Sequence, residues 1–155
     1  MKQKDRVFIK YPADIFPLVK RYANSRQENF LAITLTGSHY VIKVHHITKG
    51  LANKTIVHPR ESFYPAIKDN ASAIIFAHNH PSGNVIVSPE DEDITKRLCM
   101  AGDILGFHVV DHIIFAKNEK WLSCRQCGII HDDDFVKEEI DRFIAEFSYS
   151  RTKEG

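Results

Sequence analysis

The 155-residue sequence has no apolar run near the ~18 residues that a membrane-spanning helix needs. Positions 1–15 are punctuated by Lys2, Lys4, Asp5, Arg6, Lys10 and Asp14, so this stretch holds no apolar signal-peptide core. Charge of one sign is lacking too. Against 20 Asp+Glu stand 21 Lys+Arg, so no global bias draws the chain to nucleic acid, membrane or acidic partners. There is no basic stretch laced with aromatics of the kind that nucleic-acid binders carry, and no repeat, low-complexity tract or Gly/Ser linker. The three cysteines include one Cys-x-x-Cys pair, Cys124 and Cys127, with Cys99 and His131 as conceivable completing ligands. A structural zinc site more often brings two matched pairs, so free thiols in a reducing compartment are expected. These absences leave a single cytoplasmic domain with a sizeable core and no membrane contact as the expectation.

What is present is concentrated in one run, His78-Asn79-His80-Pro81-Ser82-Gly83-Asn84-Val85-Ile86-Val87-Ser88-Pro89-Glu90-Asp91. Residues 71–77 before it are short and mostly apolar, as in a strand buried on both faces. His78 and His80 alternate by two, so in an extended segment their rings point the same way. Pro81, Ser82 and Gly83 break regular structure. Ser88 is then suited to cap a helix with Pro89 at its first position and acids in its first turn. That helix is predicted over 89–101, with Ile94, Leu98 and Ala101 on one face and Gly102 as its stop. Asp91 is thereby fixed on a first turn that can dock against the histidine-bearing strand. Two imidazoles and one carboxylate suit zinc, and three protein ligands leave a fourth tetrahedral position open, as catalytic sites do.

The remaining elements alternate between helix and strand patterns, giving a mixed α/β class. Residues 12–22 read as a helix whose first half Pro17 disturbs. Strands over 30–36 and 40–47 flank Gly37-Ser38-His39, a hairpin signal. A short helix over 61–69 carries Pro65 near its start. Strands are predicted over 107–110 and 112–116, followed by a turn at Asn118-Glu119-Lys120 and a last strand over 121–123. Beyond these, Asp132, Asp133 and Asp134 offer a helix cap, and Val136, Ile140, Phe143, Ile144 and Phe147 recur at helical spacing. This C-terminal helix is expected to pack on its own domain, with a homo-oligomer or partner contact as the alternative. The adjacent His45 and His46 face opposite sides of their strand. His108 is expected as a packed or hydrogen-bonded ring, and His112 as a satisfied core histidine that could line the cleft.

The pattern of an upstream glutamate with His78-x-His80-x7-Ser88-x2-Asp91 resembles the JAMM (JAB or MPN-plus) zinc metallohydrolase motif. His78-Asn79-His80-Pro81-Ser82-Gly83 and Ser88-Pro89 are more closely similar to its RadC-like branch. The likeness extends to His58-Pro59-Arg60-Glu61, Asn70-Ala71, Thr95-Lys96-Arg97-Leu98 and Asp111-His112-Ile113-Ile114, covering about residues 25–130. It implies a central mixed β-sheet flanked by helices, of the cytidine-deaminase-like JAB/MPN type. With the catalytic core so placed over 25–130, the expected organisation adds a helical lead-in over 1–24 and, from the residue pattern, the amphipathic helix over 131–147 and a tail over 148–155. By the same resemblance His78, His80 and Asp91 match the Zn2+ ligands. Ser88 matches a serine that helps hold the reacting oxygen, and Glu28 matches a general acid and base that sequence physics alone would not have singled out.

The implied activity is a zinc-dependent metallopeptidase or isopeptidase-type amide hydrolase acting on a protein or peptide substrate. Zinc would bring the pKa of a bound water toward about 7, Glu28 would move its proton, and Ser88 would donate to the developing oxyanion. Two other classes stand beside it. The RadC-like family carries a DNA-repair label, which suggests nucleic-acid processing. This sequence shows no counterpart of the helix-hairpin-helix domain that precedes the core in longer members, and DNA binding is expected to be weak. The other class is a non-catalytic metal-binding scaffold, against which the intact motif argues.

Overall fold

Two continuous apolar runs become the central strands of the sheet. Strand β1 (Asn29–Leu35) and strand β3 (Ala73–Asn79) are buried at every position, as strands covered on both faces must be. The structure is a computed structural model describing residues 5–49 and 57–132, together with 138, 141, 142 and 144–146. β1 pairs antiparallel with β2 (Val41–Lys49) and with β3. β3 runs parallel to β4 (His108–Ala116), which returns antiparallel as β5 (Lys120–Ser123). The resulting five-stranded mixed sheet has the order β2-β1-β3-β4-β5.

Helices cover both faces of the sheet. On one face the short helix α1 (Phe16–Val19) and its neighbours bury Ile9, Ile15, Val19 and Ala23 against Leu31, Ile33, Ile75 and Phe115. On the other, α2 (Pro59–Lys68) and α3 (Pro89–Leu105) pack Phe63, Ala66 and Leu98 against Phe30, Ile74, Phe76 and Ile114. A parallel strand pair needs a crossover connection, and α3 is that crossover between β3 and β4. No helix among the described residues is long and apolar enough to cross a membrane.

Four local expectations are corrected. The helix expected over 12–22 is broken into a 3-10 turn (Pro12–Asp14), α1 and a second 3-10 turn (Lys20–Tyr22). Pro17 falls in the first turn of α1, where a missing N–H is harmless, so the chain restarts a helix there. The two strands expected over 107–116 are one. Ile74 pairs with Val109 and Ile75 with Asp111, so Val110 is the extra residue of a bulge and the strand continues past the acid. His108 is exposed rather than packed. The helix over 89–101 runs on to Leu105 and ends at Gly106, which adopts φ 86°.

Gly102 is therefore inside α3, not its stop. A Cβ there would lie 2.8 Å from Val109 Cγ2 and 2.9 Å from the Phe107 carbonyl oxygen. The helix approaches the start of β4 closely because this residue has no side chain. The C-terminal amphipathic face falls outside the described residues at Val136, Ile140, Phe143 and Phe147. Of the described positions there, Glu138, Asp141, Arg142 and Ile144 are helical, and Ile144 is exposed.

Helix propensity alone would favour alanine at position 102 by up to about 1 kcal/mol. Overpacking costs about 1–3 kcal/mol, and a backbone oxygen cannot rotate out of the way. We expect Gly102→Ala to lower stability by about 1–2 kcal/mol in urea denaturation. Equal or greater stability of the variant would refute the close-packing account.

Candidate metal centre

The pairing of β3 decides where its histidines go. Ile74, Phe76 and His78 share the face covered by α2 and α3, while Ala73, Ile75, Ala77 and Asn79 take the opposite face. His78 is near the end of β3 and His80 just beyond it; both are buried. Pro81-Ser82-Gly83 then turn sharply. Gly83 donates its N–H to the His80 carbonyl at 3.0 Å with φ 87°, a backbone conformation suited to glycine. The turn returns the Asn84 carbonyl to within 2.7 Å of His80 Nδ1.

Ser88 caps α3 as the sequence predicts. Its hydroxyl accepts from the Asp91 N–H at 3.1 Å, and the Asp91 carboxylate accepts from the Ser88 N–H at 3.0 Å. This reciprocal box orients the Asp91 side chain as well as the helix. Asp91 is 2% exposed. Its Oδ1 lies 3.1 Å from His78 Nε2 and its Oδ2 lies 3.2 Å from His80 Nε2, while the two Nε2 atoms are 2.9 Å apart.

Hydrogen-bond logic assigns the protons. Thr95 spends its one hydroxyl proton on the Asp91 carbonyl at 2.6 Å, one turn back along α3. It can then only accept from His112 Nδ1–H, also at 2.6 Å. That leaves His112 Nε2 as a bare acceptor for the His78 Nδ1–H at 2.7 Å. His80 Nδ1 must likewise donate to the Asn84 carbonyl. In the neutral ring of each tautomer, Nε2 then turns a lone pair toward the carboxylate. Burial lowers the pKa of His78 against the pull of Asp91 and lowers that of His112 further, with His78 beside it, so neutral rings are favoured. Burial works to raise the Asp91 pKa, but a positive charge at the two Nε2 atoms, which a second proton on either ring would supply, and the Ser88 N–H together hold the carboxyl well below the usual range.

Two lone pairs and a carboxylate at these separations repel one another unless positive charge lies between them. Bonds of 2.0–2.1 Å in a tetrahedron would set ligand atoms about 3.3 Å apart, close to the spacing seen here. His78, His80 and Asp91 could thus hold a metal ion, and their two nitrogens and one oxygen fit zinc. Glu28 is half-buried just before β1, near enough that its charge favours protonated His78. The structure thus gathers all five residues singled out from sequence at one end of β3.

His112 is the satisfied core histidine expected, and it also lies directly behind His78. The role of Thr95 was missed, although it stands one helical turn after Asp91 and so on the same side of α3. His45 and His46 do face apart: His45 Nε2 lies 2.6 Å from Asp69 Oδ2, and His46 meets Asn29 and stacks on Tyr22. Cys124 is buried and Cys127 exposed, and burial pushes the thiol pKa of Cys99 and Cys124 up to about 12. Among the described residues these thiols join no group of three candidate metal ligands.

The chain matches the model of the RadC-like JAB domain over residues 9–129. It is similar to a UPF0758 protein of Methanospirillum hungatei, 45% identical over 130 residues, which cover 83% of this chain and 57% of that protein. A UPF0758 protein of Desulfitobacterium hafniense is 41% identical over 81% of this chain and 55% of its own length. One from Geotalea uraniireducens is 48% identical over 60% of this chain and 41% of its own. The chain thus spans about half the length of these curated relatives.

Groups that orient a metal-binding histidine through its other nitrogen typically contribute ~10–100-fold in affinity. We expect His112→Ala to weaken zinc binding by ~10–100-fold in chelator competition. His112→Gln should restore part of it, since its amide can accept from His78 and donate to Thr95. Wild-type affinity in His112→Ala would refute the relay.

Proposed function

Because the chain belongs to the RadC-like JAB domain family, we propose that it is a zinc-dependent hydrolase of amide bonds, with peptide or isopeptide linkages in a protein substrate as the target. The observation that carries this reading is the convergence of two imidazole Nε2 atoms and a buried carboxylate, with Glu28 just before β1, whose Phe30 pairs with His78.

In this reading His78, His80 and Asp91 hold zinc, which supplies Lewis acidity and a water activated near neutral pH. Each protein residue then has a separate task. Glu28 takes a proton from the attacking water and returns it to the leaving amine, a role worth typically ~10²–10⁴-fold. The Ser88 hydroxyl accepts from the Asp91 N–H, which turns its own hydrogen away from the helix and allows it to donate to the developing oxyanion. His112 and Thr95 keep the His78 ring in place without touching substrate. The partner in this reading is a protein or peptide substrate.

The test is to profile zinc-loaded protein against a fluorogenic library of peptide-bonded and lysine-isopeptide-bonded substrates. Wild-type protein should cleave members of one set and carry one zinc per chain. His80→Ala should lose most of the metal. Glu28→Gln should keep the metal and lose activity by ~10²-fold or more. Ser88→Ala should lose ~10-fold or more, with some stability lost alongside the cap. Full zinc occupancy in His80→Ala, or an unimpaired Glu28→Gln, would sink the assignment.

The near-even charge also predicts weak, non-specific DNA binding at ~150 mM salt, read by electrophoretic mobility shift. Tight binding by this chain alone would overturn the protein-substrate reading. So would a nuclease activity lost in Asp91→Ala.

A further inference from the structure

Asn79, between the two histidines, points to the opposite face of β3 and is fully buried. Its side chain does not pack there as a hydrophobe would. Oδ1 accepts the Asn29 N–H at 2.6 Å, and Nδ2 donates to the Gln27 carbonyl at 2.9 Å. The orientation of the amide is unambiguous, because one partner can only donate and the other only accept. These partners belong to the two peptide units on either side of Glu28. One side-chain amide therefore fixes both peptide planes that bracket the proposed base.

The clamp continues the β1–β3 ladder beyond its backbone end. Phe30 pairs with His78, and Asn79 then stands in for the next backbone partner of β1. Strand alternation is thereby carried back to position 28, which puts Glu28 on the face of Phe30 and His78. A further layer holds the clamp. Asn29 Nδ2 donates to the Gln27 carbonyl at 3.1 Å and to Asn79 Oδ1 at 3.2 Å, and His46 Nε2 lies 3.0 Å from Asn29 Oδ1.

We infer that Asn79 is a positioning residue for Glu28: its amide, inserted between the Gln27 carbonyl and the Asn29 N–H, aims the Glu28 carboxylate at the water-activating side of the metal centre. This inference rests on the proposed role of Glu28 as general base. It assigns a task to the middle residue of the His-x-His segment that is separate from metal binding. Small misplacements of a reacting group cost up to about 10²-fold in rate, so the clamp is a determinant of turnover and not of zinc affinity.

The experiment combines two readouts on Asn79→Ala and on Asn79→Asp, which keeps an acceptor for the Asn29 N–H but turns a second oxygen toward the Gln27 carbonyl. The first readout is turnover of the best library substrate, in wild-type and Glu28→Gln backgrounds. Asn79→Ala should keep one zinc per chain and lower kcat by ~10- to 10²-fold with little change in KM. It should add no further loss in the Glu28→Gln background. The second readout needs no turnover: pseudocontact shifts of the Glu28 side chain in cobalt-loaded protein, with Ser88 as internal control. These should change in size or sign in both Asn79 variants while those of Ser88 persist. Unchanged Glu28 shifts, or an equal kcat loss with and without Glu28, would overturn the clamp. If wild-type protein cleaves nothing in the library, the hydrolase reading fails, and the cobalt shifts still decide whether Asn79 places Glu28.

Discussion

Strand β3 is covered on both faces and hydrogen-bonded along both edges, and water has little access to the polar atoms at its C-terminal end. His78, Asn79 and His80 are all buried there, together with Asp91, Thr95 and His112. Each must find its partners within the protein, since leaving one buried polar group unpaired costs about 1–3 kcal/mol. Among the described residues no buried side-chain nitrogen or oxygen lacks a partner. This requirement makes the region more sharply specified than an apolar core, in which side chains of similar volume can often exchange. The proton assignments at His78, His80 and His112 follow from it.

The same requirement binds α3 to the sheet at two levels. Asp91 offers its carboxylate to the histidine pair and its main-chain carbonyl to Thr95, which in turn meets His112 on β4. Deeper in, the absence of a side chain at Gly102 lets the last turns of the helix settle against Val109 and Phe107. Helix and sheet are thus locked by polar contacts at one end and by bare backbone at the other. Beside them, Asp111 accepts from the His112 and Arg125 N–H groups and from the Ser123 hydroxyl, tying β4 to β5 and the loop that follows.

The sequence was most legible where local chemistry and tertiary role coincide. Ser88, Pro89 and Asp91 announce a capped helix by residue type alone, and the cap is also what aims Asp91. The alternation of His78 and His80 is equally local. Legibility fell where a residue's meaning depends on a distant neighbour. Gly102 looks like a helix stop until Val109 is seen against it. Asp111 looks like a break between strands until Ser123 and Arg125 supply its partners. Pro17 was visible, but whether it would end a helix or begin one was not. Glu28 came from the family motif, and Asn79 gave no signal, because its partners Gln27 and Asn29 are brought to it only by β1–β3 pairing.

The site is assembled from pieces of very different span. The three side chains that could hold a metal lie within residues 78–91, one strand end, one turn and the first turn of a helix, so a short loop closure suffices to bring them together. The segment carrying Glu28 comes to this end of β3 only when β1 pairs antiparallel with β3 over a long stretch of intervening chain, a contact of the slow-forming, non-local kind. The two events are separable in the order of folding. A chain in which β3 and α3 have met, but the β1–β2 hairpin has not yet docked, presents metal-binding side chains without the carboxylate proposed to act on the attacking water. Completion of the sheet is then the step that brings the segment carrying Glu28 to the strand end that carries His78 and His80.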